Sequence, residues 1–180
     1  FNQFEGDLYA LFLGIAGLPI ASALTVQNLN SFSEFQPVPA KIISKQLKAV
    51  MKDRKPDAIK IGMLGSAENG SLIAEFLDGS GIPSVVDTVF ASSSGFRFID
   101  EEMLEIYINE LIPVSTLVTP NANEASILTG IKVDDPQSAE QACKVLMDIG
   151  ARSVLVKGGH FISSVGTDVF HDSSGTLKLK

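Results

Sequence analysis

Ser153-Val154-Leu155-Val156-Lys157-Gly158-Gly159-His160 carries a short aliphatic strand straight into a cation and two glycines. A strand that ends in Lys-Gly-Gly can bring bare backbone N–H groups and one ammonium close to a phosphate. Upstream, Leu117-Val118-Thr119-Pro120-Asn121-Ala122-Asn123-Glu124 repeats the pattern with opposite chemistry. There a strand runs into a polar turn that carries an amide and a carboxylate, groups that hold Mg2+ through oxygen or water. One strand end offers phosphate contacts and the other offers metal contacts. Phosphoryl transfer is the chemistry that uses both.

Outward from these two stretches, strand and helix signals alternate. Ile20 to Val26, Ala58 to Ile61, Pro83 to Asp87, Thr116 to Thr119 and Ser153 to Val156 read as strands. Asp7 to Leu13 reads as a short helix, and the segment through Pro37 and Pro39 as a loop. Ile43, Leu47, Val50 and Met51 recur at helical spacing, with Lys41, Lys45, Lys48 and Lys52 on another face. Leu72, Ile73, Phe76 and Leu77 make the next helical face. Asp100 is placed to cap a helix with Met103, Leu104, Tyr107, Ile108 and Leu111 inside. Glu124 to Thr129 is a helix stopped by Gly130. Ser138 and Gln141 form a capping-box pattern for a helix that buries Ala142, Val145, Leu146 and Ile149. Thr167 to His171 and Thr176 to Lys180 flank Asp172-Ser173-Ser174-Gly175, a hairpin signature.

This order predicts the α/β class: a three-layer α/β/α sandwich with a mostly parallel central sheet, helices on both faces and a closing β-hairpin. The strand cores are nearly continuous aliphatic runs, as expected when both faces are covered. Ligands in such sheets sit outside the carboxyl ends of the strands. Gln27, Gly62 with Met63, Asp87, Asn121 with Glu124, and Lys157 with Gly158 all fall at those ends. Residues 1–180 read as one domain, without repeat or linker.

The chain has a net charge of −7 and no basic run, which argues against a nucleic-acid partner. An acidic chain can still bind ATP, because the local field at the phosphates matters more than the total. No apolar run reaches the roughly 18 residues of a membrane span, and no signal peptide is visible. Cys143 stands alone, so no internal disulfide forms, and a buried inert thiol in a reducing compartment is expected. There is no Walker A pattern and no Gly-x-Gly-x-x-Gly.

Each candidate also has a plainer reading. Lys157 could be an exposed lysine in a tight turn. Glu124 could be a first-turn acid favoured by the helix dipole. Asp87 could merely end a strand, and Gln27 could cap backbone groups. Met63 could fill the core or cover a flat ring. His160 reads better as a structural hydrogen-bonding residue than as a base, and His171 as a surface residue of the hairpin.

Five ordered segments now resemble a known family. They are Ala23-Leu24-Thr25-Val26-Gln27-Asn28, Lys60-Ile61-Gly62-Met63-Leu64, Val86-Asp87-Thr88-Val89, Thr119-Pro120-Asn121-Ala122-Asn123-Glu124-Ala125 and Val156-Lys157-Gly158-Gly159-His160. In order and spacing they resemble the hydroxymethylpyrimidine/phosphomethylpyrimidine kinases of thiamine synthesis, in the ribokinase-like superfamily. The resemblance implies transfer of the γ-phosphoryl of ATP to a hydroxymethyl group or a phosphate on an aminopyrimidine. It implies that Gln27 hydrogen-bonds the pyrimidine edge, that Asp7 lines the same pocket, and that Met63 and Val89 pack on the ring. It implies ATP contacts from Lys157, Gly158, Gly159 and Asn121, and Mg2+ held near Glu124 and Asp87. A small aminopyrimidine, ATP, a cytoplasmic location and a homo-oligomer, a dimer, complete the expectation.

Two departures accompany the resemblance. The family's glycine-rich opening is replaced by Phe1-Asn2-Gln3-Phe4-Glu5-Gly6-Asp7, of which only the final acid matches. The family's Gly-Thr-Gly-Cys or Gly-Thr-Gly-Asp segment, which forms an anion hole and supplies the group that activates the hydroxyl, is not in the sequence. No catalytic base is therefore assigned, and the chain reads as a fragment or a degenerate homologue. Phe90-Ala91-Ser92-Ser93-Ser94-Gly95 also lacks the lysine of the family's Ala-Lys-Ser-Gly. A pyridoxal or pyridoxine kinase, and a non-catalytic binding protein on the same scaffold, are the alternatives.

Overall fold

A computed structural model of the chain describes residues 14–28, 32–91, 95–159, 161 and 166–180. Asp7, the Asp7 to Leu13 helix and His160 lie outside the described residues. Eight strands form two sheets among the described residues: a two-stranded antiparallel flap, and a six-stranded sheet in the order β3-β4-β5-β6-β7-β8. The flap pairs β1 (Ala23–Gln27) with β2 (Phe32–Pro37). Helix α1 (Ala40–Asp53) follows, then β3 (Ile59–Ile61), α2 (Ala67–Ser80) and β4 (Ser84–Val86). Helix α3 (Glu101–Ile106) continues through a π-helical turn (Tyr107–Leu111) into α4 (Ile112–Val114). The rest is β5 (Leu117–Val118), α5 (Ala122–Thr129), α6 (Pro136–Ile149), β6 (Ser153–Val156), β7 (Asp168–Asp172) and β8 (Gly175–Leu179).

The α/β/α class, the mixed and mostly parallel sheet and the closing hairpin are as the sequence predicts. Strands β3 to β6 are parallel neighbours, and β7 and β8 add antiparallel. Ile61, Val86, Val118 and Val154 share one register row across four strands. All four are buried and join one core with Leu77 of α2, Met103 of α3, Ala125 of α5 and Leu146 of α6. A β-strand alternates its faces, so Val85, Leu117, Leu155 and Phe170 point the other way. They are half-buried, and Leu177 and Leu179 of β8 are exposed. The two faces of the sheet are thus covered unequally.

Three expectations change. Phe32–Pro37 is a strand, not a loop. Its Phe-Ser-Glu-Phe pattern hides period two because a bulge shifts the register between Val26 and Gln27. The strand expected at Ile20 to Val26 begins at Ala23 and pairs with β2 instead of entering the central sheet. Gln27 therefore ends a flap strand, not a strand of the main sheet. Helix α6 starts at Pro136, and its capping box joins Asp135 to Ser138, three residues before the box expected from Ser138 and Gln141. Asp135-Pro136 carries both the cap acceptor and the residue favoured at the first helical position.

Candidate functional site

The alternation of strand faces sorts the polar residues at the carboxyl rim into two groups. Strand pairing runs past the formal strand ends: Asp87 N–H donates to Ile61 O (2.9 Å), Thr119 N–H to Val86 O (2.9 Å), and Lys157 N–H to Pro120 O (2.8 Å). Lys60 pairs with Val85 in register. Lys60, Asp87, Thr119 and Lys157 therefore emerge on the less covered face, one from each of the neighbouring strands β3, β4, β5 and β6. Thr88 turns to the helix side with Glu124.

On the open face Asp87 is the hub. Lys157 Nζ donates to its Oδ1 at 2.8 Å, Thr119 Oγ1 to the same oxygen at 3.2 Å, and Lys60 Nζ to Oδ2 at 3.2 Å. Side-chain exposures are 24% for Asp87, 40% for Lys157 and 68% for Lys60. Burial pushes the Asp87 pKa up, but Lys157 and then Lys60 outweigh it and hold the carboxyl below the usual carboxylate value.

On the helix side Glu124 is the hub and is buried. Its Oε2 accepts Asn121 N–H (2.8 Å) and Thr88 Oγ1–H (3.0 Å), and its Oε1 accepts Phe90 N–H (3.4 Å). Asn121 Oδ1 in turn accepts Glu124 N–H (3.0 Å), completing the capping box of α5. Phe90 packs edge-on against Tyr107 of the π-helical turn, centroids 5.1 Å apart. Burial first, and then the charges of Glu124 and Asp87, push the Tyr107 pKa up, so Tyr107 stays a neutral phenol.

Asn121 and Lys157 lie side by side in a parallel bridge, so the Thr-Pro-Asn and Lys-Gly-Gly strand ends meet. Gly158 is required by shape: a Cβ there would overlap the Thr167 carbonyl oxygen and the Phe161 ring. Its N–H donates to Asp168 Oδ1 at 2.8 Å. Gly159 is exposed, and a Cβ there would meet open space.

The flap rises from the end of β3. Ser22 Oγ donates to Met63 O (2.5 Å), and Asn69 Nδ2 lies within reach of Leu64 O (3.0 Å), Val38 O (3.1 Å) and Ser22 O (3.4 Å). Its outer part rests on an aromatic cluster, Phe32 and Phe35 against Phe96 and Phe98, with centroids 4.9 to 6.2 Å apart. Gln27 is exposed opposite Phe32. Met63 and Val89 are half-buried at the ends of β3 and β4. From β3 to β6 is three strand spacings, about 14 Å, so the Met63 and Lys157 ends of the rim are separated by the width of a small ligand.

Sequence reasoning assigned no role to Lys60, Thr88, Thr119 or Asn69. Period two would have found the first and third, since both share a face with Asp87. Asn69 had no local signal, because its three carbonyl partners come from separate segments. A groove beside Ser71, Glu75, Asp78, Asn109 and Glu110 lies between α2 and the α3–α4 helix. It carries three acids and no cation, which disfavours an anionic ligand. No group of three or more His, Cys, Asp or Glu suited to a metal occurs among the described residues. No described helix is long and apolar enough to cross a membrane.

The sequence matches the phosphomethylpyrimidine kinase family over residues 6–180. It is 37% identical over 169 residues to a hydroxymethylpyrimidine/phosphomethylpyrimidine kinase of Rhizobium meliloti, covering 93% of this chain and 63% of that protein. The chain thus spans somewhat less than two thirds of that relative. The fold superimposes on the phosphomethylpyrimidine kinase of Clostridium difficile with a TM-score of 0.88 at 32% identity, covering 98% of this chain and 77% of that one. It also superimposes on the pyridoxal kinase of Staphylococcus aureus in complex with AMP-PCP and pyridoxal, with a TM-score of 0.83 at 26% identity, covering 98% and 64%. A family match across nearly the whole chain agrees with an acid, an amide and a lysine gathered on one strand rim: the chain belongs to the phosphomethylpyrimidine kinase family.

Proposed function

We propose that this chain carries the pyrimidine- and nucleotide-holding part of a kinase that moves the γ-phosphoryl of ATP to hydroxymethylpyrimidine, to its monophosphate, or to both, in thiamine biosynthesis. The observation that supports this best is the Lys157–Asp87 pair beside the Asn121 bridge, which sets a cation at the strand ends where a triphosphate would lie. Each Lys157 ammonium has three donors and Asp87 takes one, so a phosphate oxygen can be met without losing the anchor. Gly159 is the glycine open to a phosphate, while Gly158 fixes the turn. Gln27 offers a donor and an acceptor side by side, matching an aminopyrimidine's amino group and ring nitrogen. Met63, Val89 and Asp7 complete the acceptor pocket in this reading.

The residues fit Mg2+ bound mainly through water and phosphate. An ionised carboxylate accepts about four hydrogen bonds; Glu124 uses three, which leaves room for one metal-bound water. Asp87, on the open face with Lys157 and Lys60 on its oxygens, would act on the ion through the phosphates and not as a carboxylate paired with Glu124. When bound, the ion neutralises charge on the transferring phosphoryl group. The chain's own part is positioning, which for such transfers contributes most of the rate.

ADP release measured with hydroxymethylpyrimidine, its monophosphate and pyridoxine, together with equilibrium binding of each, tests this reading. A pyrimidine should be preferred over pyridoxine by at least about tenfold. Preference for pyridoxine would favour the activity suggested by the superposition on the Staphylococcus aureus pyridoxal kinase. Absence of pyrimidine binding would refute the proposal.

A further inference from the structure

Lys60, Asp87, Thr119 and Lys157 form a row across four adjacent strands, and the row has two cations on one carboxylate. Its net charge is +1 within a chain of net charge −7. Each ammonium has three donors, and Asp87 is the one partner of each among the described residues. Two donors on each lysine are left for an anion. The lysines are not equivalent. Lys157 stands on β6 beside Asn121, while Lys60 stands on β3, the strand whose end carries Met63 and the base of the flap. Asp87 lies between them and offers one oxygen to each.

We propose that Lys60 is a specificity-determining residue that binds the phosphate already present on a phosphorylated pyrimidine acceptor, while Lys157 serves the nucleotide. This rests on the acceptor assignment made above. Lys60 reaches the acceptor end of the rim, and its 68% exposed side chain can turn to an incoming anion. An unphosphorylated acceptor has nothing for this ammonium to hold. Lys60 therefore separates the two acceptors by charge, leaving the flap side of the pocket to recognise the ring. Asp87 holds Lys60 in place until the phosphate arrives, and Lys157 stays paired throughout.

The test is calorimetric titration of the chain with hydroxymethylpyrimidine, its monophosphate and a non-hydrolysable ATP analogue, in wild type, Lys60→Met, Lys60→Arg and Lys157→Met. Lys60→Met should weaken the monophosphate about tenfold or more and leave the other two ligands within about twofold. Lys60→Arg should recover most of the monophosphate affinity, which also shows that the position tolerates change. Lys157→Met should weaken the ATP analogue instead. Equal loss for both pyrimidines would make Lys60 a support of pocket shape, loss of the ATP analogue would place it on the nucleotide, and no loss would remove it from the site; each overturns the inference. If wild type binds both pyrimidines and Lys60→Met matches it, this inference falls alone. If wild type binds neither, the acceptor assignment falls with it.

Discussion

Replacing Asp87 by asparagine keeps the shape and removes the charge. Asp87 receives Lys157 at 2.8 Å and Thr119 at 3.2 Å on one oxygen, and Lys60 at 3.2 Å on the other. In Asp87→Asn the amide can accept on one side only, so its NH2 must face either Lys60 or Lys157. A hydrogen bond to a charged group contributes about 1.5–3 kcal/mol when buried, and an exposed ion pair about 0–1 kcal/mol. Lys157 is 40% exposed and Lys60 is 68% exposed, so both contributions need that discount. The sum is about 1–3 kcal/mol at pH 7, or a few degrees in Tm for a chain of this size. The sign with pH follows from the lowered Asp87 pKa. A carboxyl whose pKa is depressed on folding stabilises fully above its unfolded value and loses that contribution as pH falls through the folded value. Urea denaturation of wild type and variant should therefore show the full gap at pH 7, narrowing once pH drops below the ordinary value of 3.8. No gap at pH 7, or a gap that widens in acid, would refute the electrostatic reasoning.

Glu124→Gln should cost about 1–3 kcal/mol, because an NH2 must replace either Oε2, which accepts from Thr88 and Asn121, or Oε1, which accepts from Phe90; unchanged urea midpoints would contradict this. Gly158→Ala should destabilise by about 3 kcal/mol or more through overlap with Thr167 O and Phe161, whereas Gly159→Ala should stay within about 0.5 kcal/mol, both read by thermal denaturation. Gln27→Ala should weaken hydroxymethylpyrimidine binding by about 1–3 kcal/mol without changing Tm, since the side chain is exposed; equal affinity would remove Gln27 from the pocket. Cys143 is buried and its pKa is pushed up to about 11, chiefly by that burial, so a thiol reagent at pH 8 should label it only after denaturation.

Much of the molecule was legible along the chain. Val85-Val86-Asp87, Leu117-Val118-Thr119 and Val154-Leu155-Val156-Lys157 announce buried strands with polar ends, because a continuous aliphatic run can be satisfied only inside. Gly130 and the Asn121-x-x-Glu124 box mark a helix through local hydrogen bonds alone. The flap was less legible. Phe32 and Phe35 are three residues apart, yet both reach Phe96 and Phe98. The bulge that permits this exists only when β1 and β2 pair.

The residues themselves set the strand and helix order, the caps and the set of polar groups at strand ends, since each depends on contacts a few residues apart. The partition of those groups was decided in three dimensions. Asp87 and Glu124 look alike as two rim acids in one dimension. Folding turns Asp87 toward two lysines on the open face and buries Glu124 among three donors behind the sheet. That division follows from which strand lies beside which, and pairing joins β3 to β4, β4 to β5 and β5 to β6 across 25, 32 and 36 residues that carry no local sign of one another.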